Sequence, residues 1–391
     1  MGNSGIELRY GCNPHQVPAK VYFKDGELPF RVLNGRPGYI NMMDALNSWQ
    51  LVKELKQALN MPAASSFKHV SPAGAAVAVP MSGVLKAACF VGDRELSPLA
   101  TAYARARGAD IMSSYGDFAA LSEKVDVPTA LLLRREVSDG IIAPGYDSEA
   151  LSILKGKKGG RYLVIEIDED YEPIEMEAKE IFGITLEQRR NDVVPDYSIL
   201  GNIVTENREI PDLAKRDLIV ATIAVKYTQS NSICFAYDGQ VTGIGAGQQS
   251  RVHCVRLAAS KSDTWYLRQH PRVLGLKFRR GLKRSERNNA IDKYLLEDIT
   301  DAERKSWEMA FEEVPTRLTA REKRDWLDSL QGVSLSSDAM FPFRDSLDRA
   351  ARSGVKYIVQ AGSSIRDEEL VQAADEYDMV MAFSKLRLFH H

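Results

Sequence analysis

Strand-length apolar runs alternate with helix-period stripes along most of this 391-residue chain. That alternation argues for a layered α/β fold. Residues 1–40 are irregular, with turn signals at Asn13-Pro14-His15 and Asn34-Gly35-Arg36-Pro37-Gly38. A helix is expected over 41–59, because Ala45, Trp49, Val52, Leu55 and Leu59 share a stripe and Pro62 follows. The short small-sided run 61–67 ends at Lys68-His69. Ser71-Pro72-Ala73-Gly74 then has the grammar of a helix start, with Ser as cap and Pro at the first position. Lys68 and His69 are therefore expected at the carboxyl end of a buried strand, just before a helix amino end, where open α/β sheets bind ligands. Residues 97–108 read as a helix, 109–114 as a strand entering a loop, 131–133 as a strand or helix edge, and 162–167 as a strand.

A second unit is expected to begin near Pro211, with a helix over 213–225. A hairpin should follow, 233–237 with 240–244 across Asp238-Gly239. The loop 245–250 feeds a helix from Arg251. Residues 265–330 are charged and helical, an expected insertion. A strand at 357–359, a loop at 360–364, a helix and a strand at 379–383 complete the pattern. The expected organisation is a first α/β unit over 1–150, a connecting segment over 151–210 and a second unit over 211–391. Two units of similar size allow an old duplication, but periodicity does not show one.

The charge is nearly balanced, 51 basic against 53 acidic residues, which gives no reason to expect a nucleic-acid surface. The basic cluster Lys277, Arg279, Arg280, Lys283, Arg284 and Arg287 suits a solvated helix face or an anionic-ligand funnel. The opening residues 1–5 are short and polar, and no run approaches a membrane span, so a cytoplasmic protein is expected. Cys12, Cys89, Cys234 and Cys254 are scattered, as in a reducing compartment.

A cation beside an imidazole at a strand end can stabilise an oxyanion and move a proton. A Lys-His pair is also common in plain solvated loops. Gly243-x-Gly245-x-Gly247 has the wrong spacing for a dinucleotide fingerprint and follows a hairpin. It fits a ligand-approaching loop and an ordinary turn equally. No Cys-x-x-Cys or His-x-Glu occurs, so zinc is not expected. Arg9 and Arg387, each beside apolar residues, suit a carboxylate partner or a phosphate.

Several longer stretches carry a resemblance. They are 8–16 (LRYGCNPHQ), 67–74 (FKHVSPAG), 113–118 (SSYGDF), 137–144 (VSDGIIAP), 226–232 (KYTQSNS), 245–251 (GAGQQSR), 336–345 (SSDAMFPFRD) and 387–391 (RLFHH). Taken together, they resemble the AICAR transformylase part of the bifunctional purine-biosynthesis enzyme that also carries IMP cyclohydrolase. The resemblance runs in order through nearly the whole chain. It implies formyl transfer from 10-formyltetrahydrofolate to the 5-amino group of AICAR, giving FAICAR and tetrahydrofolate. It implies two cytidine-deaminase-like units without zinc and a homodimer with active sites at the interface.

By the same resemblance His69 is the general base or proton shuttle and Lys68 the oxyanion stabiliser. Arg9, Tyr10, Gly116, Asp139, Asn231 and Arg387 match positions that hold the AICAR nucleotide. Arg251, Val252, Met340, Ser364 and Ile365 match the folate side. A potassium ion is implied near Val225, Thr228, Ser232 and Asp338. Met340 departs from an aromatic pattern and puts a flexible thioether against the folate. The family motifs begin at Leu8, so ring closure is expected to need a separate IMP cyclohydrolase. An aminohydrolase on the same fold and a non-catalytic nucleotide-sensing module are the rival readings. The absent zinc ligands count against the first and the Lys68-His69 pair against the second.

Overall fold

In the computed structural model, which describes residues 5–23 and 26–391, the chain is mixed α/β with a single eleven-stranded main sheet. Residues 1–4, read above for a targeting segment, lie outside the described residues. A small pair, β1 (Ile6–Glu7) and β2 (Lys20–Val21), precedes β3 (Phe30–Asn34). The first half continues with α1 (Tyr39–Leu59), β4 (Ala63–Lys68), β5 (Ser71–Val77), α2 (Gly83–Ala88), α3 (Pro98–Ala109), β6 (Asp117–Leu121), α4 (Val127–Arg135), β7 (Ser138–Ala143), α5 (Ser148–Lys155) and β8 (Leu163–Ile167). An exposed hairpin, β9 (Met176–Ile181) and β10 (Ile184–Arg189), stands apart from the main sheet.

The second half comprises α6 (Asp212–Lys226), β11 (Ile233–Tyr237), β12 (Gln240–Gly245) and α7 (Arg251–Leu267). The short helices α8 (Pro271–Leu274), α9 (Arg284–Leu295), α10 (Asp301–Glu308) and α11 (Ala320–Leu327) come next. Then come β13 (Val333–Ser337), α12 (Asp345–Ala351), β14 (Val355–Gln360), α13 (Asp367–Glu376) and β15 (Val380–Phe383). The helices α8–α11 close over a small core of their own around Tyr294, Trp307 and Phe311.

The sheet order is β15-β14-β13-β11-β12-β5-β4-β6-β7-β8-β3. Counted outward from the β5–β12 seam, the halves repeat the same plan: a hairpin, an antiparallel neighbour, then two parallel strands. The seam itself is antiparallel, Gln240 opposite Ala76. Alternation along each strand feeds two layers of core. In β6, Phe118 and Ala120 pack with α1 and α6, whereas Ala119 and Leu121 pack with α3, α4 and α5. In the second half α7, α12 and α13 fill the latter layer.

Two local expectations are corrected. Ser71-Pro72-Ala73-Gly74 opens strand β5, not a helix. Pro72, which lacks a ladder donor, is tolerated because β4 carries an irregularity between Ser66 and Phe67 at that level. The small residues that resemble a helix start serve close packing instead: a Cβ on Gly74 would stand 2.1 Å from the Ala106 carbonyl oxygen of α3. Residues 109–114 form no strand. The Asp110 carboxylate accepts from the Ser113 amide at 3.0 Å and its hydroxyl at 2.6 Å, folding the segment into turns before β6. Residues 131–133 lie inside α4.

Candidate active site

Antiparallel pairing at the seam brings the β12 carboxyl end to the β5 amino end, so both halves offer loops at one edge of the sheet. Along that edge lie the loops after β15, β14 and β13, the segment before β11, the loop after β12, the β4–β5 turn, and the starts of β6 and β7. Every residue singled out from the sequence for substrate, folate or chemistry sits on this edge or beside it. In the basic cluster 277–287, Lys277, Arg279, Arg280 and Lys283 are exposed. Its Arg284 pairs with Glu136 at 2.5 Å and donates to the Cys89 carbonyl at 3.0 Å, docking the helical insertion.

Lys68 ends β4, and His69-Val70 are the two central residues of the turn into β5. Lys68 Nζ donates to the Tyr115 carbonyl at 2.8 Å, which sets it beside Gly116. His69 is exposed. Both line a cleft of about 610 Å³ with Ser71, Ser113, Gln229, Gly247 and Lys261. The cleft lies over the seam between the halves. Nearby, at the start of β6, Asp117 is fully buried and held by Ser66 Oγ at 2.6 Å and by Arg107 at 2.6 Å. Arg107 also pairs with Glu136 at 3.0 Å.

A second cavity, about 600 Å³, gathers Arg9, Tyr10 and Asp139 with Arg36, Asn41, Lys158 and Arg161. Arg9 donates to Asn41 Oδ1 at 2.9 Å, and Lys158 pairs with Asp139 at 2.7 Å. Four cations against one carboxylate leave this cavity with an excess of positive charge. Of these residues, the sequence points only to Arg9, Tyr10 and Asp139. The Lys- and Gly-rich run 155–161 (KGKKGGR) was the available signal for Lys158 and Arg161.

A third group belongs to the second half. Arg251, at the α7 start, donates to Asn231 Oδ1 at 2.9 Å and the Ser232 carbonyl at 3.0 Å, and pairs with buried Asp338. Asn231 donates to the Gln248 carbonyl at 2.8 Å. Asp338 also accepts from Ser230 Oγ at 2.7 Å and the Ser232 amide at 2.9 Å. The carboxyl-terminal tail is tied to this group, Leu388 N donating to the Asp338 carbonyl at 2.8 Å, so exposed Arg387 stands beside it. Val252 follows Arg251 in α7. Met340 and Ile365 are exposed, and Ser364 is half-buried, on adjoining loops joined through Gln360. Gly243 and Gly245 serve helix packing, since a Cβ at either would stand 2.1–2.2 Å from a backbone carbonyl of α7. Gly247 lines the cleft.

Arg9 and Arg387 do not meet within one chain. Asp338 follows β13 and Asp139 lies in β7, six strand steps apart, or about 29 Å along the sheet. Val225, Thr228, Ser232 and Asp338 do converge: Ser232 Oγ lies 3.2 Å from the Val225 carbonyl, and all four are buried. Among the described residues, no three His, Cys, Asp or Glu side chains are grouped as metal ligands, and no helix is long and apolar enough to cross a membrane.

Comparison with known proteins adds the family. A family model described as AICARFT/IMPCHase bienzyme matches residues 2–261. The bifunctional purine biosynthesis protein PurH of Magnetococcus marinus is 32% identical over 98% of this chain and 59% of its own length. PurH of Xylella fastidiosa and of Petrotoga mobilis are each 30% identical over 98% of this chain and 58% of theirs. The chain therefore spans a little under three-fifths of these relatives.

Proposed function

The chain belongs to the AICARFT/IMPCHase bienzyme family, and from that premise we propose that it acts in purine biosynthesis by transferring a formyl group from 10-formyltetrahydrofolate to AICAR. The observation that carries the reading is Lys68 and His69 lining one cleft on the sheet edge that also bears the cation-rich cavity. The 5-amino group of AICAR is conjugated to its ring and is a poor nucleophile. It must lose a proton as it attacks the formyl carbon. His69 takes that proton, a role worth about 10²–10⁴-fold. Lys68 faces the developing oxyanion, where a single donor contributes about 3–4 kcal/mol. Arg9, with Arg36, Lys158 and Arg161, receives the nucleotide phosphate, and Tyr10, Gly116 and Asp139 orient the rest. Arg251, Val252, Met340, Ser364 and Ile365 take the folate.

The reading includes a homodimer. Arg387 and Asn231 are too far along the edge to share a nucleotide with Arg9 of the same chain, so a second copy supplies them. The stand-off hairpin β9–β10, with Phe182 fully exposed and Ile181, Ile184 and Leu186 exposed beside it, is marginal alone and gains from a second surface. Each half is proposed to be a zinc-free unit of cytidine-deaminase type, in keeping with the repeated strand plan. The all-oxygen set Val225, Thr228, Ser232 and Asp338 suits a potassium ion, which would brace the Asp338 end of the site. Closure of FAICAR to IMP is assigned to an IMP cyclohydrolase outside these residues. The test is tetrahydrofolate release on mixing the protein with AICAR, 10-formyltetrahydrofolate and excess IMP cyclohydrolase to draw off FAICAR. Release that depends on AICAR supports the reading; none, with folded protein, rejects it.

A further inference from the structure

His69 and Val70 both have positive φ, +54° and +60°. A two-residue hairpin turn of this kind favours Asn-Gly or Asp-Gly. A β-branched residue there is strained, on the order of 1–3 kcal/mol, and holds only if its surroundings impose it. The imposing group is Asp44 in α1. Its carboxylate, nearly fully buried, accepts the Val70 amide at 2.7 Å.

The second half repeats the device. Asp217 of α6 accepts the Asp238 amide at 2.7 Å and the Gly239 amide at 2.6 Å, holding the β11–β12 turn. Asp44 and Asp217 occupy the same place, five residues after the first residue of their helices, Tyr39 and Asp212. Yet the second turn is Asp-Gly, an ordinary sequence for its shape, and carries neither Lys nor His at its centre. In the first half, the same clamp holds an unfavourable sequence.

We propose that Asp44 is a positioning residue for the transfer reaction: by clamping the strained His69-Val70 turn, it fixes the direction of the His69 imidazole into the cleft. This rests on the function proposed above. Misplacement by about 1 Å can cost on the order of 10²-fold in rate. Asp44→Ala should therefore lower kcat about 10- to 100-fold with the KM for AICAR within about threefold. Val70→Gly removes the strain, because glycine takes positive φ freely, so Asp44→Ala/Val70→Gly should recover kcat several-fold. Asp217→Ala, removing the sister clamp, should cost stability and leave kcat near wild type.

Full kcat in Asp44→Ala, no recovery in the double variant, or an equal kcat loss in Asp217→Ala would each overturn the proposal. If either alanine variant does not fold, the asparagine variants replace it, with Asp44→Asn/Val70→Gly as the rescue. The activity-independent readout is the His69 ring signal in histidine-labelled protein, assigned with His69→Ala. It should broaden or split in Asp44→Ala and sharpen again on adding Val70→Gly, and an unchanged signal overturns the clamp. If wild type shows no formyl transfer, the function proposed above fails, and this signal alone decides the clamp.

Discussion

On the proposed reading, His69 and Lys68 divide the chemistry between them. His69→Ala should reduce turnover about a hundredfold or more while AICAR binding stays within about tenfold, read by steady-state rates and calorimetry. Lys68→Ala should cost roughly 10²-fold, and Lys68→Arg should not restore it, since the guanidinium is wider and aimed differently. Near-normal turnover in either alanine variant removes that residue from the mechanism. Burial raises the Asp44 carboxyl to about 6, against partial opposition from the Val70 amide and His69. A carboxyl raised on folding stabilises most below its unfolded value and loses that contribution as pH rises through the folded value. Wild type should therefore lose stability relative to Asp44→Asn between about pH 4 and 6, and little more above pH 7, in denaturant titrations. A flat difference across that window contradicts the raised carboxyl. The place of Lys68-His69 at a strand end was legible because two polar residues interrupt a small, apolar run. Asp44 was not: it sits 25 residues upstream in an ordinary helix pattern, and only the fold brings it under the turn.

Strand β5 shows where reading by element misleads. Ser-Pro followed by small residues signals a helix start, but here the same residues form a central strand pressed against α3. Alanine and glycine have weak strand preference, and packing overrides it. Gly74 and its counterpart Gly243 mark the two closest helix approaches, each with a carbonyl 2.1 Å from where a Cβ would stand. Gly74→Ala and Gly243→Ala should each cost about 2 kcal/mol or more, because a backbone carbonyl must shift. Equal melting midpoints for wild type and both variants would refute the close packing. The β11–β12 hairpin, by contrast, was legible from Asp238-Gly239, since that dipeptide meets the turn's backbone demand directly.

At the scale of the molecule, the sequence announced alternating elements but not their union in one sheet. That union depends on a single antiparallel seam, which no local pattern encodes. The seam places the halves' functional loops on one edge, yet leaves Arg9 and Arg387 on different stretches of it. If two copies complete each site, inactive His69→Ala and inactive Arg387→Ala should complement when unfolded and refolded together. Random pairing gives half heterodimers, each with one intact site, so about a quarter of wild-type activity should return. No recovery, with mixed dimers confirmed by mass, would place both residues in one chain's site.

The most direct measurement is tetrahydrofolate release by the purified 391-residue protein given AICAR and 10-formyltetrahydrofolate, with excess IMP cyclohydrolase to draw off FAICAR. Release should require AICAR, be matched by IMP formed only when the cyclohydrolase is present, and fall about a hundredfold or more in His69→Ala. Absence of release from folded protein, release independent of AICAR, or full release in His69→Ala would contradict formyl transfer at the Lys68-His69 cleft.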